Sequence, residues 1–112
     1  MGNNVRQKIF TFHNATTTIS DGYEFNVSAN HVLMNIAVTG NAANFNLKVQ
    51  GKANDTDEWS DISVANLNTL ALSPDITANG KYQLGLEGLV KVKVELTAIG
   101  ANAVTVKGTV VN

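Results

Sequence analysis

At 112 residues the chain has room for one domain around one hydrophobic core, without the need for staples. It contains no cysteine, which excludes a disulfide framework, a thiolate metal site and a cysteine nucleophile. A net charge of −1 carries no electrostatic footprint for nucleic acid, and no apolar run reaches the length of a membrane span.

The first segment, Val5 to His13, is strand-like, with Val5 and Ile9 on one face and Phe10 and Phe12 on the other. Residues 1–13 are expected to form either a peripheral strand or an arm that attaches to a neighbouring subunit. Thr16 to Ile19 continues extended, because β-branched side chains suit a pleated surface. After the Ser20-Asp21-Gly22 turn, Tyr23, Phe25 and Val27 alternate with Glu24 and Asn26 in a short strand. Val32 to Thr39 is a further strand, with Val32, Met34, Ile36 and Val38 sharing a face. Gly40 to Ala43 reads as a short hairpin connection to a partner strand, Asn44 to Lys52, whose Phe45, Leu47 and Val49 point inward.

A polar loop, Ala53 to Glu58, leads to Trp59 and a strand at Ile62 to Ala65. Asn66 to Asp75, with mixed leucine spacing and the only proline, reads as an irregular crossover holding a short strand around Leu70 to Leu72. Tyr82, Leu84 and Leu86 follow the Asn79-Gly80 turn. In the segment Leu89 to Ala98 the alternation is strict: Val90, Val92, Val94 and Leu96 point one way, and Lys91, Lys93 and Glu95 the other. Gly100 to Asn102 turns into a last strand, Ala103 to Val111. No 3.6-residue periodicity is sustained. About eight short strands with Gly and Asn turns predict a single all-β domain, an antiparallel β-sandwich of jelly-roll or Ig-like type.

The densest set of hard oxygen ligands is Asp55, Asp57 and Asp61, which makes them weak candidates for Ca²⁺. Their spacing lacks the EF-hand glycine and distal glutamate, and a solvated acidic loop has the same composition, so no cofactor is expected. Trp59, Tyr82 and Tyr23 are the candidate ligand or interface residues: exposed rings would stack on a sugar, whereas buried rings would be structural. Trp59, at the start of a strand, is expected to close one end of the sandwich. His13 and His31 have no paired carboxylate nearby in sequence and are expected to be structural or exposed. Lys91, Lys93 and Lys107 are expected to share a solvent face of neighbouring strands, where lysines discourage edge pairing. No nucleophile elbow, phosphate loop or acid–base pair is evident, so an enzyme is not expected. The N-terminal MGNNVRQKIF carries charges where a signal peptide needs its apolar core, and no export signal is expected there.

From Val32 onward the order of elements is FNLKVQGK, then NDTDEWSDIS, ITANGKY, LEGLVKVKVEL and AVTVKGTVV. In this it resembles small β-sandwich structural proteins of tailed bacteriophages and prophages, found as head-decoration, head-fibre or tail-accessory parts. The resemblance implies a non-enzymatic virion protein, assembled in the host bacterial cytoplasm, whose partners are copies of itself and other virion proteins. It supplies no functional residues. The alternative is a carbohydrate-binding module that recognises surface glycans through exposed aromatics.

Overall fold

A computed structural model describes residues 7–111 as two packed antiparallel sheets, with no helix among the described residues. The strands are β1 (Gln7–Thr16), β2 (Glu24–Asn26), β3 (Leu33–Gly40), β4 (Asn46–Lys52), β5 (Ser60–Asp61) and β6 (Val64–Asn66). They continue as β7 (Leu72–Ser73), β8 (Asp75–Ile76), β9 (Gly80–Gly85), β10 (Lys91–Ala98) and β11 (Val104–Val111). The six-stranded sheet has the order β1-β11-β3-β9-β6-β7; the other runs β2-β10-β4-β5, with β8 also paired to β4. The fold is the expected β-sandwich. It has eleven strand segments rather than about eight because five of them are only two or three residues long.

Alternation places the core. Met34, Ile36 and Val38 of β3, with Val104, Val106 and Val110 of β11, line the inner face of the six-stranded sheet. Leu47 and Val49 of β4, with Val92, Val94 and Leu96 of β10, line the opposing face. Each of these side chains is essentially withdrawn from water, which is the main stabilising term of the fold. Phe10, Phe12 and Phe25 close the β1/β2 side, with Phe10 stacked on Phe25 at 4.1 Å between ring centroids. This settles the phase of the first strand: Phe10 and Phe12 face inward, and Ile9 is exposed.

The connection at Gly40 to Ala43 is not a hairpin. β3 and β4 lie in different sheets, as do β9 and β10, and β10 and β11. Short Gly- and Asn-rich links therefore carry the chain from one layer to the other. The β3–β4 and β10–β11 links pair with each other through Ala43 and Ala101, with Asn44 and Asn102 in left-handed conformation. The Asn102 amide donates to the Asn41 carbonyl at 3.2 Å. Much of the asparagine content is thus turn chemistry, since Asn tolerates positive φ better than most residues.

The Asn66 to Asp75 stretch is the expected crossover, with β7 in the six-stranded sheet and β8, just past Pro74, paired to β4 in the other, but its first part is an ordered hairpin and not irregular. β6 pairs with β7, and the Asn66 side-chain oxygen accepts from the Asn68 and Thr69 amides at 2.8 and 3.2 Å. Of the N-terminal residues considered as an arm, 7–13 belong to β1, an edge strand of the sandwich paired along β11; residues 1–6 lie outside the described residues. Val32, expected inside with Met34, is exposed because it precedes β3.

Candidate functional site

The two outer faces of the sandwich differ in kind. On the five-stranded sheet, register sets Lys91 beside Lys52, Lys93 beside Gln50 and Glu24, and Glu95 beside Lys48. Carboxylates from the surrounding segments reach onto these lysines: Asp75 to Lys48 at 2.8 Å, Asp61 to Lys48 at 3.8 Å, Asp55 and Glu24 to Lys91 at 4.0 Å, and Asp21 to Lys93 at 3.6 Å.

Trp59 lies over this outer face and does not close an end of the sandwich. The Lys93 and Lys52 ammonium groups sit 4.6 and 4.9 Å from its ring centroid, within cation–π range. The indole accounts for a departure from the alternation pattern: Lys93, expected in solvent, is 6% exposed. Nor do Lys91, Lys93 and Lys107 share a face, because β10 and β11 belong to opposite sheets.

The candidate calcium ligands do not converge. Asp55 turns to Lys91 and Asp61 to Lys48 and Gln50, and no group of three potential metal-ligating side chains occurs among the described residues. Asn54 organises the loop instead, its side-chain oxygen accepting from the Thr56 amide and hydroxyl at 3.0 and 2.7 Å.

Asp75 is the best-partnered carboxylate of this face. The Lys48 ammonium and then the Asn46 amide hold its carboxyl below the ordinary value of 3.8. A carboxyl whose pKa is depressed by folding contributes stability that is full above its unfolded pKa and is lost as pH falls through the folded value. Asp75→Asn is therefore expected to flatten the acid limb of stability below about pH 4. Urea unfolding midpoints from pH 6 downward check this. A variant whose acid limb overlays that of the parent would contradict it.

Tyr82 is no sugar platform. Its ring is buried and its hydroxyl donates to the Ala78 carbonyl at 2.7 Å; burial raises its pKa. Tyr23 is 45% exposed and lies against the aromatic cluster, 6.2 and 6.4 Å from Phe10 and Phe12. The structure does not gather Trp59, Tyr82 and Tyr23 into one surface. His13 is buried, its Nε2–H donating to the Val94 carbonyl at 2.6 Å. His31 Nδ1 accepts from the Ser28 amide at 3.1 Å, in the wall of an open cleft that also includes Val27, Leu86 and Glu87.

On the outer face of the six-stranded sheet, sequence reasoning marked only Lys107. One row runs Ile9, Thr109, Asn35, Gln83, Ala65, Leu72 across all six strands; the next runs Thr11, Lys107, Ala37, Lys81. No strand of this sheet contains a carboxylate. Exposed leucines cluster at its β7 edge: Leu72 at 73%, and Leu70 at 78% on the hairpin, with φ of +64°. A left-handed leucine costs about 1–3 kcal/mol, and such strain is found where surroundings over-determine it. The missing signal was the absence of Asp and Glu from six strand segments scattered along the chain. Only their assembly into one sheet makes that visible.

The family model XepA matches residues 6–110, nearly the whole chain. The chain belongs to the XepA family. The same fold occurs in the SPBc2 prophage-derived protein YomS, at 26% identity and a TM-score of 0.89, covering 100% of this chain and 98% of that one. It also occurs in the PBSX exported protein XepA, at 18% identity and a TM-score of 0.91, where this chain is fully covered but spans 40% of the other. No curated protein matches the chain. YomS is prophage-derived, and together with the family match this supports a phage-associated protein, in line with the resemblance carried by the strand and turn motifs.

Proposed function

We propose that this XepA-family chain is a non-enzymatic virion structural protein that self-associates and attaches to a capsid or tail surface. The observation that carries the reading is the exposed apolar set on one sheet: Ile9, Leu33 and Leu72 on its outer face, with Leu70 held out on the adjoining hairpin. Single exposed leucines are ordinary, whereas several exposed apolar groups on one carboxylate-free face suit a surface that meets a partner. The Thr, Asn and Gln side chains between them suit a wet, hydrogen-bonded interface. The phage-associated family supports a particle as the setting, with assembly in the host bacterial cytoplasm.

Size exclusion with light scattering over a concentration series tests the self-association. A mass above that of one chain, rising or holding with concentration, is the expected result; a monomer throughout would count against it. Leu70→Gly sharpens the test. Glycine relieves the left-handed backbone while removing the apolar side chain, so stability is expected to hold or rise by up to about 1 kcal/mol. Association is expected to weaken. Detection of the chain in purified particles, and not only in the soluble lysate, tests the attachment.

A further inference from the structure

The β2–β3 loop and the β9–β10 turn meet at one end of the sandwich and border an open cleft of about 530 Å³. That volume falls within the roughly 300–1,000 Å³ of small-ligand sites. Two backbone bonds clamp its walls together: the Val27 amide donates to the Val90 carbonyl at 2.9 Å, and the Leu86 amide to the Val32 carbonyl at 2.8 Å. Between these clamps each wall is a tight turn. One is closed by the His31 amide on the Ser28 carbonyl at 3.0 Å. The other is closed by the Leu89 amide on the Leu86 carbonyl at 3.0 Å, with Gly88 at a φ of +82°. The cleft is thus shaped before any ligand arrives, which lowers the ordering cost of binding.

Its lining is mostly apolar. Val27, Val32, Leu86 and Leu89 supply that surface, and Val32 is 52% exposed. Glu87 is the only carboxylate in the lining, and no lysine or arginine accompanies it. Among the described residues it has no cation within 4.0 Å. The Nδ1 atom of His31, in the same lining, accepts from the Ser28 amide, so the neutral ring carries its proton on Nε2 and keeps one donor to offer. The ring also packs near Phe25, at 5.5 Å between centroids.

From this set we infer that the cleft binds a peptide segment of a partner protein in which an apolar side chain neighbours a lysine or arginine. The apolar side chain covers Val27, Val32 and Leu89, its cationic neighbour pairs with Glu87, and His31 Nε2–H donates to a carbonyl of the segment. A wholly apolar occupant would strip water from the Glu87 carboxylate without replacing it, and an acidic one would add repulsion. A simple alkylammonium would answer Glu87 but leave the imidazole N–H without an acceptor. A basic and apolar peptide answers all three groups. The site lies apart from the outer faces of the sheets and holds whether or not copies of the chain associate.

Amide chemical shifts on adding acetyl-Gly-Leu-Lys-Gly-amide test the assignment, with the Leu-Glu and Ala-Lys versions of the peptide as comparisons. Saturable shifts are expected at residues 27–32 and 86–90, with the Leu-Lys peptide bound at least about threefold more tightly than either of the others. Glu87→Gln is expected to erase the preference for lysine over glutamate, and Glu87→Lys to invert it. Glu58→Gln removes an exposed carboxylate outside the cleft and is expected to leave all three affinities unchanged. Circular dichroism and melting temperature check that the variants fold. Equal binding of the three peptides, shifts centred elsewhere, or a lysine preference that survives Glu87→Gln would overturn the inference. So would the absence of shifts at about 10 mM peptide. Movement of the same amides on raising the protein concentration alone would overturn it in favour of a second copy of the chain.

Discussion

Leu96→Ala is expected to lower the unfolding free energy by about 2–5 kcal/mol, the usual range for truncating a fully buried leucine. Leu96 sits opposite Leu47 in the β10–β4 register, and both side chains are within 1% of complete burial against the six-stranded sheet. Alanine at this position removes the transfer energy of three carbons and leaves a cavity that rigid sheet backbones fill poorly. Against a typical total of about 5–15 kcal/mol, the loss approaches half of the stability of a small domain. The urea midpoint should fall with little change in slope. Leu47→Ala should behave alike, and the double variant should cost less than the sum because the two side chains share one void. A midpoint unmoved by Leu96→Ala would place this residue outside the core.

The second large effect is expected at His13. Its imidazole is 3% exposed and crosses between the layers: β1 belongs to the six-stranded sheet, while Val94, which accepts its hydrogen bond, belongs to β10 of the other. Val94 falls between the part of β10 that pairs with β2 and the bridge from Ser20 to Leu96, so the histidine fills a gap in that sheet's ladder. Gly22 is shaped to this arrangement, with φ of +69° and no space for a Cβ, which would lie 2.6 Å from the Phe12 carbonyl oxygen and 2.7 Å from the His13 ring. His13→Ala unpairs a buried carbonyl and opens a void, together costing about 3 kcal/mol. His13→Gln, whose amide can still donate, should recover part of this. Amide exchange along β1 should quicken in the alanine variant before that of β10, since β1 is an edge strand held by β11 on one side only. Full protection of β1 in His13→Ala would contradict the role given to this bond.

Particular strands show where sequence reasoning succeeds. Met34, Ile36 and Val38, or Phe45, Leu47 and Val49, alternate so regularly that strand, buried face and sandwich class follow from the spacing of side chains on a pleated backbone. The Gly40 to Ala43 link shows where it stops. A short Gly/Asn link is compatible both with a hairpin and with a step to the opposite layer, and nothing local separates the two. The same holds for the hairpin at Asn66: its leucines follow no period because Leu70 and Leu72 face water, and only the Asn66 side-chain bonds to the turn amides explain the local order.

By itself, then, the sequence determined an all-β sandwich, its inward residues and its phage-like order of motifs, because side-chain alternation and turn chemistry act within a few residues. Tertiary structure alone decided which strands share a sheet, and hence that Trp59 shields Lys93 and that Asp55 and Asp61, near each other in sequence, turn to different lysines. It alone separated an acidic layer from a layer without carboxylates. Pairing between strands distant in sequence is chosen by burial of both faces at once, a condition that no short stretch of the chain encodes.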